Sequence, residues 1–252
     1  MAKAAKVLIL GGTGEAVALA RTLAEAFGAG LTVVTSLAGR TTSPTLPPGE
    51  IRVGGFGGVL GLTRYLRDKG IDAVVDATHP FAARITANAV AACAAAGVPR
   101  LRLDRPAWKP VPGDDWRRVP DLHAAAALLP ALGSRAFLTV GSSELGPFKD
   151  VPGVRFWARM IEPPIAEDLP KSFTIVRARG PFSLADEETF LRRHDIDVLV
   201  TKNSGGDAAA AKLAAARGFG LPVVMVDRPP TPPGDNAPGI AETVEWLRPI
   251  VP

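Results

Sequence analysis

Three stretches of this chain carry residue types whose spacing suits chemistry on an anionic ligand. In the first, Val7-Leu-Ile-Leu runs into Gly11-Gly12-Thr13-Gly14-Glu15-Ala16 and then into an Ala/Leu-rich segment. A strand that turns through glycines into a helix gathers backbone N–H groups at the positive end of the helix dipole, which favours phosphate. The glycines allow positive φ and remove the β-carbon that would hold a phosphate away from the backbone. The match to the dinucleotide pattern G-x-G-x-x-G is partial, because Val17 stands at the third glycine position. In the second stretch, Asp197-Val-Leu-Val-Thr runs into Lys202-Asn203-Ser204-Gly205-Gly206 and then into an alanine-rich helix. A cation, an amide, a hydroxyl and backbone amides are thereby expected at one helix start. In the third, the apolar strand Ile71–Asp76 ends in Ala77-Thr78-His79-Pro80. Pro80 holds His79 extended, aiming an imidazole from a strand end near any cofactor bound at the first turn; a packed structural histidine is the other reading.

The remaining candidates refine the ligand. After the second strand, Leu31–Ser36, the chain supplies Ser36, Arg40, Thr41 and Thr42, with no carboxylate from Leu31 to Pro48. An NAD site places Asp or Glu there, whereas arginine and hydroxyls suit a 2′-phosphate, so a cofactor site here is expected to take NADP; an exposed arginine in a polar loop is the other reading of this stretch. Around Phe56, Gly54, Gly55, Gly57 and Gly58 allow close approach to a nicotinamide or a diphosphate, or simply form a mobile loop. Tyr65 and Lys69 have the Y-x-x-x-K spacing of short-chain dehydrogenases. They fall too early in the strand order for that role, and packed and solvated positions are expected instead. Arg179 stands at the end of a strand beginning at Phe173.

Composition excludes several classes. The chain has 252 residues, 47% hydrophobic and 21% charged, with a net charge of +4, which is ordinary for a globular protein. The Lys and Arg residues are scattered rather than clustered with aromatics, so a small polyanion is expected and nucleic acid is not. No apolar run approaches a membrane span, and no signal peptide is read at the start. The single cysteine, Cys93, cannot form an internal disulfide, and a cytoplasmic location is expected. Three histidines without ligand spacing predict no metal site. His123 and His194 read as surface residues. Nothing marks an oligomer, so a monomer is the default expectation.

The elements needed to position these residues alternate strand and helix through both halves. That predicts an α/β fold of two Rossmann-like domains with mainly parallel sheets. The proline-rich, aromatic stretch Arg105–Trp116 reads as the connection. It divides residues 1–105, an NADP-binding domain, from residues 106–252, a substrate domain. The place of the terminal amphipathic helix, Ile240–Arg248, is left open.

Taken together and in order, Gly11–Ala16, Val53–Gly57, Asp76–Phe81, Ala178–Phe182, Thr201–Gly206 and Leu221–Pro229 resemble the precorrin-6A reductase family of cobalamin biosynthesis, including its cobalt-route relatives. The resemblance covers almost the whole chain. It implies an NADPH-dependent reductase that saturates one double bond of a polycarboxylate tetrapyrrole. It also implies two Rossmann-like domains with the active site in the cleft between them. On that footing, Gly11–Ala16 would hold the diphosphate, and Ser36 with Arg40 the 2′-phosphate. Gly55, Phe56, Gly57, Thr78 and His79 would line the cofactor, while Arg179 and Lys202–Gly206 would meet the nicotinamide end or substrate carboxylates. His79, Lys202 or water would supply the proton.

Overall fold

The computed structural model describes residues 4–39, 46–164 and 169–251. The chain divides into two compact units, Met1–Pro106 with Pro229–Pro252, and Ala107–Arg228.

In the first unit the chain forms β1 (Ala5–Leu10), α1 (Gly14–Phe27), β2 (Leu31–Leu37), β3 (Glu50–Val53), α2 (Gly58–Asp68), β4 (Ala73–Asp76), α3 (Ala83–Ala96) and β5 (Arg100–Leu103). The central strands are continuous apolar runs, as parallel strands covered on both faces must be. Helix α1 buries Ala16, Leu19, Ala20 and Leu23, the i, i+3, i+4, i+7 stripe of an amphipathic helix. In the second unit follow β6 (Asp115–Val119), α4 (Leu122–Leu128), β7 (Arg135–Thr139), β8 (Arg155–Met160), β9 (Phe173–Arg177), α5 (Leu184–Arg193), β10 (Val198–Lys202), α6 (Ala211–Gly218) and β11 (Pro222–Val226). The chain then returns to the first unit as β12 (Asp235–Ala237) and α7 (Ile240–Leu247).

Each unit holds a six-stranded sheet, ordered β12-β5-β4-β1-β2-β3 in the first and β6-β11-β10-β7-β8-β9 in the second. The recorded pairings in both are parallel. The first sheet follows the doubly wound 3-2-1-4-5-6 order, and the second repeats its 3-2-1-4-5 part as β9-β8-β7-β10-β11, with β6 in the outer place, so each reverses direction beside its central strand. The switch lies between β1 and β4 in one sheet and between β7 and β10 in the other.

The sixth strand of each sheet comes from an unexpected part of the chain. The stretch after β5 supplies β6 to the second sheet, and β12 fills the outer place of the first. This corrects the division at residue 106: Pro229–Pro252 belong to the first unit. The reason is packing. Val244, Leu247 and Val251 share one core with Val7, Ile9, Leu19 and Leu23, and Phe27 and Trp246 pack against it. The opposite face of that sheet is covered by Leu62 and Leu66 of α2 and by Ala89, Ala92 and Cys93 of α3. Phe137, Leu199, Leu213 and Met225 anchor the core of the second unit.

Candidate functional site

The first glycine turn sits at the switch point of the first sheet. Leu10, the last residue of β1, stands in register with Ser36 on one side and Asp76 on the other. Gly12 has a φ of +105°, which a side chain would oppose. Thr13 caps α1: its hydroxyl accepts from the Ala16 amide at 3.1 Å and donates to the Ala77 carbonyl at 2.8 Å. The amides of Gly14 and Glu15 open the helix and have no intrahelical acceptor. Ala16 is buried where α1 meets the strand, and a β-carbon at Gly11 would come within 3.0 Å of Thr35 Cγ2. The Glu15 carboxylate, which would repel an anion here, is paired with Arg105 at 2.8 Å.

Next to this turn lies a buried polar network that the sequence did not reveal. Asp76 is fully buried. Its Oδ1 accepts from the Thr78 amide at 3.2 Å and the Thr78 hydroxyl at 2.6 Å, and its Oδ2 from Arg102 Nη1 at 2.9 Å. The same Arg102 nitrogen donates to Thr86 of α3 at 2.7 Å. Ala77, Thr78 and His79 are therefore held from three elements. His79 Nδ1 accepts from the Phe81 amide at 3.3 Å. That leaves Nε2 as the proton-bearing nitrogen of the neutral ring.

At the end of β2, Ser36 is buried and lies opposite Arg52 of β3. Arg52 Nη1 reaches Ser36 Oγ at 3.5 Å and also donates to Gly54 O, while Nη2 donates to Gly55 O at 2.8 Å. Its guanidinium lies 3.8 Å from the centre of the Phe56 ring. Arg52 thus folds the Gly54–Phe56 loop against the strand ends. Its only sequence signal is an arginine directly before Val53 and the glycines. Arg40 lies outside the described residues, as do Thr41 and Thr42. Tyr65 packs edge-on to Phe56, with ring centres 5.2 Å apart, and Lys69 is exposed, as their spacing on an early helix led us to expect.

The second unit repeats this arrangement. Glu144 accepts from the Gly141 amide at 2.6 Å and takes Lys202 Nζ on both oxygens, at 2.8 and 2.6 Å. Lys202 is thus an ion-paired ammonium, and Glu144 is a site residue that only the structure reveals. Asn203 exchanges hydrogen bonds with the Trp108 backbone at 2.8 and 3.0 Å. Arg228 donates to the Asn203 and Ser204 carbonyls at 2.7 and 2.9 Å. The Lys202–Gly206 turn is therefore braced from both flanks. Arg179 is exposed beyond the edge strand β9. His123 is exposed as expected. His194, expected at the surface, is half-buried, with its ring 4.7 Å from Phe190 and 5.5 Å from Trp157. Burial lowers its pKa below the usual histidine value.

The structure gathers Gly11–Ala16, Ser36, Thr78 and His79 at the carboxyl edge of the first sheet, and Lys202–Gly206 at the carboxyl edge of the second. Ligands bind at that edge in open α/β sheets. Among the described residues no helix is long and apolar enough to cross a membrane, and no group of three or more His, Cys, Asp and Glu residues could hold a metal ion.

Comparison with known proteins turns this geometry into an assignment. Residues 6–248 match the family described as precorrin-6x reductase CbiJ/CobK. The chain belongs to this family. It is 50% identical to the precorrin-6A reductase of Rhodococcus erythropolis over 96% of this chain and 97% of that protein. It is 45% identical to the precorrin-6A reductase of Rhodobacter capsulatus over 96% and 95%. A solved CobK precorrin-6A reductase superposes with a TM-score of 0.91 at 44% identity, covering 98% of this chain and 97% of that one. As a precorrin-6x reductase family member the protein is an oxidoreductase, and its chemistry requires a redox cofactor.

Proposed function

We propose that this protein reduces one ring double bond of precorrin-6A to give precorrin-6B in cobalamin biosynthesis, using NADPH. Family membership over nearly the whole chain carries the reaction. The observation that carries the cofactor is the Gly11–Ala16 turn, where Gly12 takes a left-handed φ and the adjacent carboxylate of Glu15 is neutralised by Arg105. That donor set fits a diphosphate. Ser36, with Arg40 and Arg52, suits a 2′-phosphate, because the segment 31–48 contains no carboxylate to repel it.

NADPH, when bound, supplies hydride to one ring carbon. The residues of this chain do the rest. Gly11–Ala16 and Ser36 hold the cofactor, while Gly55, Phe56, Gly57, Thr78 and His79 line it. Aligning two bound reactants is worth about 7–11 kcal/mol of barrier. A proton must also reach the neighbouring carbon, and a positioned acid contributes about 10²–10⁴-fold. His79 delivers that proton from Nε2 only as the imidazolium, with Nδ1 released from the Phe81 amide. Lys202, paired with Glu144, is the second candidate, and water is the third source. Arg179 and Lys202–Gly206 meet substrate carboxylates or the nicotinamide end.

The test is NADPH oxidation followed at 340 nm with precorrin-6A, and in parallel with its cobalt complex. Turnover dependent on the macrocycle, and binding of NADPH far tighter than of NADH, are expected. Arg40→Ala should remove most of that preference. Equal affinity for both cofactors would overturn the 2′-phosphate assignment.

A further inference from the structure

Three buried charges at the carboxyl edge of the second sheet have no part in the chemistry described so far. Arg159 is the penultimate residue of β8, Glu187 lies in the first turn of α5 and Lys212 in the first turn of α6. Arg159 Nη2 donates to Glu187 Oε1 at 2.6 Å, with the two side chains 9% and 4% exposed. The other carboxylate oxygen, Glu187 Oε2, is buried without a hydrogen-bond partner. The Arg159 guanidinium lies 3.7 Å from the centre of the Phe182 ring. Lys212 is 8% exposed, and its ammonium lies 5.2 Å from the centre of the Trp108 ring. The Trp108 indole in turn donates to Gly206 O at 3.0 Å. The group therefore adjoins the Lys202–Gly206 turn.

Two cations and one carboxylate leave this buried group one positive charge in excess. Uncompensated buried charge is costly, and aromatic faces offset only a part of it. Burial is also the main reason that the Lys212 ammonium holds its proton less tightly than an ordinary lysine. The neighbouring charges do not remove the excess. Lys202 is already paired with Glu144, and Asp186 is exposed, so water screens its charge. One further carboxylate would make the set neutral. An ammonium has three donors and a guanidinium five, so Lys212 and Arg159 both keep donors for a carboxylate while Glu187 holds the guanidinium in position.

We infer that Arg159 and Lys212 form a receptor for one carboxylate of the tetrapyrrole substrate, with Glu187 as the positioning residue. This rests on the precorrin reading of the function. Losing one charge-assisted hydrogen bond costs on the order of 10- to 100-fold in affinity. Lys212→Met should therefore raise both the KM and the Kd for precorrin-6A by about that factor. The Kd for NADPH should not move, and Lys212→Arg should recover most of the substrate affinity. Wild-type KM should also rise as the pH passes about 8, where Lys212 loses its proton, and the Lys212→Arg profile should stay flat there. That pH profile serves as the readout if Lys212→Met does not fold. A folded Lys212→Met enzyme with wild-type KM, or identical pH profiles for wild type and Lys212→Arg, would overturn the receptor while leaving the reductase reading intact. Wild-type protein that neither binds precorrin-6A nor oxidises NADPH in its presence would overturn both.

Discussion

The hydroxyl of Thr13 joins two loops: it donates to Ala77 O at 2.8 Å and accepts from the Ala16 amide at 3.1 Å. One side chain thus caps α1 and fastens the glycine turn to the segment leading to His79. Thr13→Val keeps the shape and loses both bonds. A stability loss of about 1–2 kcal/mol is expected by urea denaturation. NADPH affinity should fall several-fold, while Thr13→Ser stays near wild type in both measurements.

Arg102 and Asp76 form a buried ion pair in which Asp76 is also bonded to Thr78. Removing one partner leaves a charge without compensation. Arg102→Met should cost about 3–5 kcal/mol. Asp76→Asn in that background should restore part of the loss, and a double-mutant cycle by chemical denaturation measures the coupling. Strict additivity would contradict the network.

Gly61 faces the turn that precedes α2, and a β-carbon there would overlap the carbonyl oxygen of Phe56. Alanine would normally favour a helix interior. Here Gly61→Ala should destabilise by about 1–3 kcal/mol, as forced overpacking does. The melting temperature should fall accordingly. Equal or higher stability would mean that the Gly54–Gly57 loop yields freely.

Lys212 makes stability depend on pH with a definite sign. Its folded pKa is lowered from 10.5 to about 8, chiefly by burial, with Arg159 and Lys202 also lowering it and Glu187 opposing them. Between these two values the unfolded chain binds the extra proton, so this group favours folding more as pH rises through that window. Below about pH 8 the cost of the buried charge is fully present. Denaturation of wild type and Lys212→Met at pH 7 and pH 10 should show the wild type gaining on the variant at the higher pH.

The central strands were legible in the sequence because Val7–Leu10, Ala73–Val75 and Val198–Val200 are apolar runs that any parallel sheet core requires. The strands β6 and β12 were not. Asp115-Trp-Arg-Arg-Val119 and Asp235-Asn-Ala237 carry no periodic signal, and they become strands only through pairing with β11 and β5. The same division holds at the site. Gly11–Ala16 and Lys202–Gly206 announced themselves because strand, glycine and helix follow one another locally. Glu144 stands 58 residues before Lys202 and Arg102 stands 26 after Asp76, so no local pattern links either pair. His194 read as a turn residue, and its packing against Trp157 depends on a strand far upstream.

The return of β12 and α7 to the first sheet also fixes the order in which the molecule can be finished. The second unit is one uninterrupted segment, Ala107–Arg228, which in sequence separates the two pieces of the first, and it has all its described strands as soon as Val226 is in place. The unit that begins at the amino terminus lacks its outer strand, and its face beside Phe27 stays open, until the residues after Pro229 leave the ribosome. The lobe synthesised first is therefore the lobe completed last.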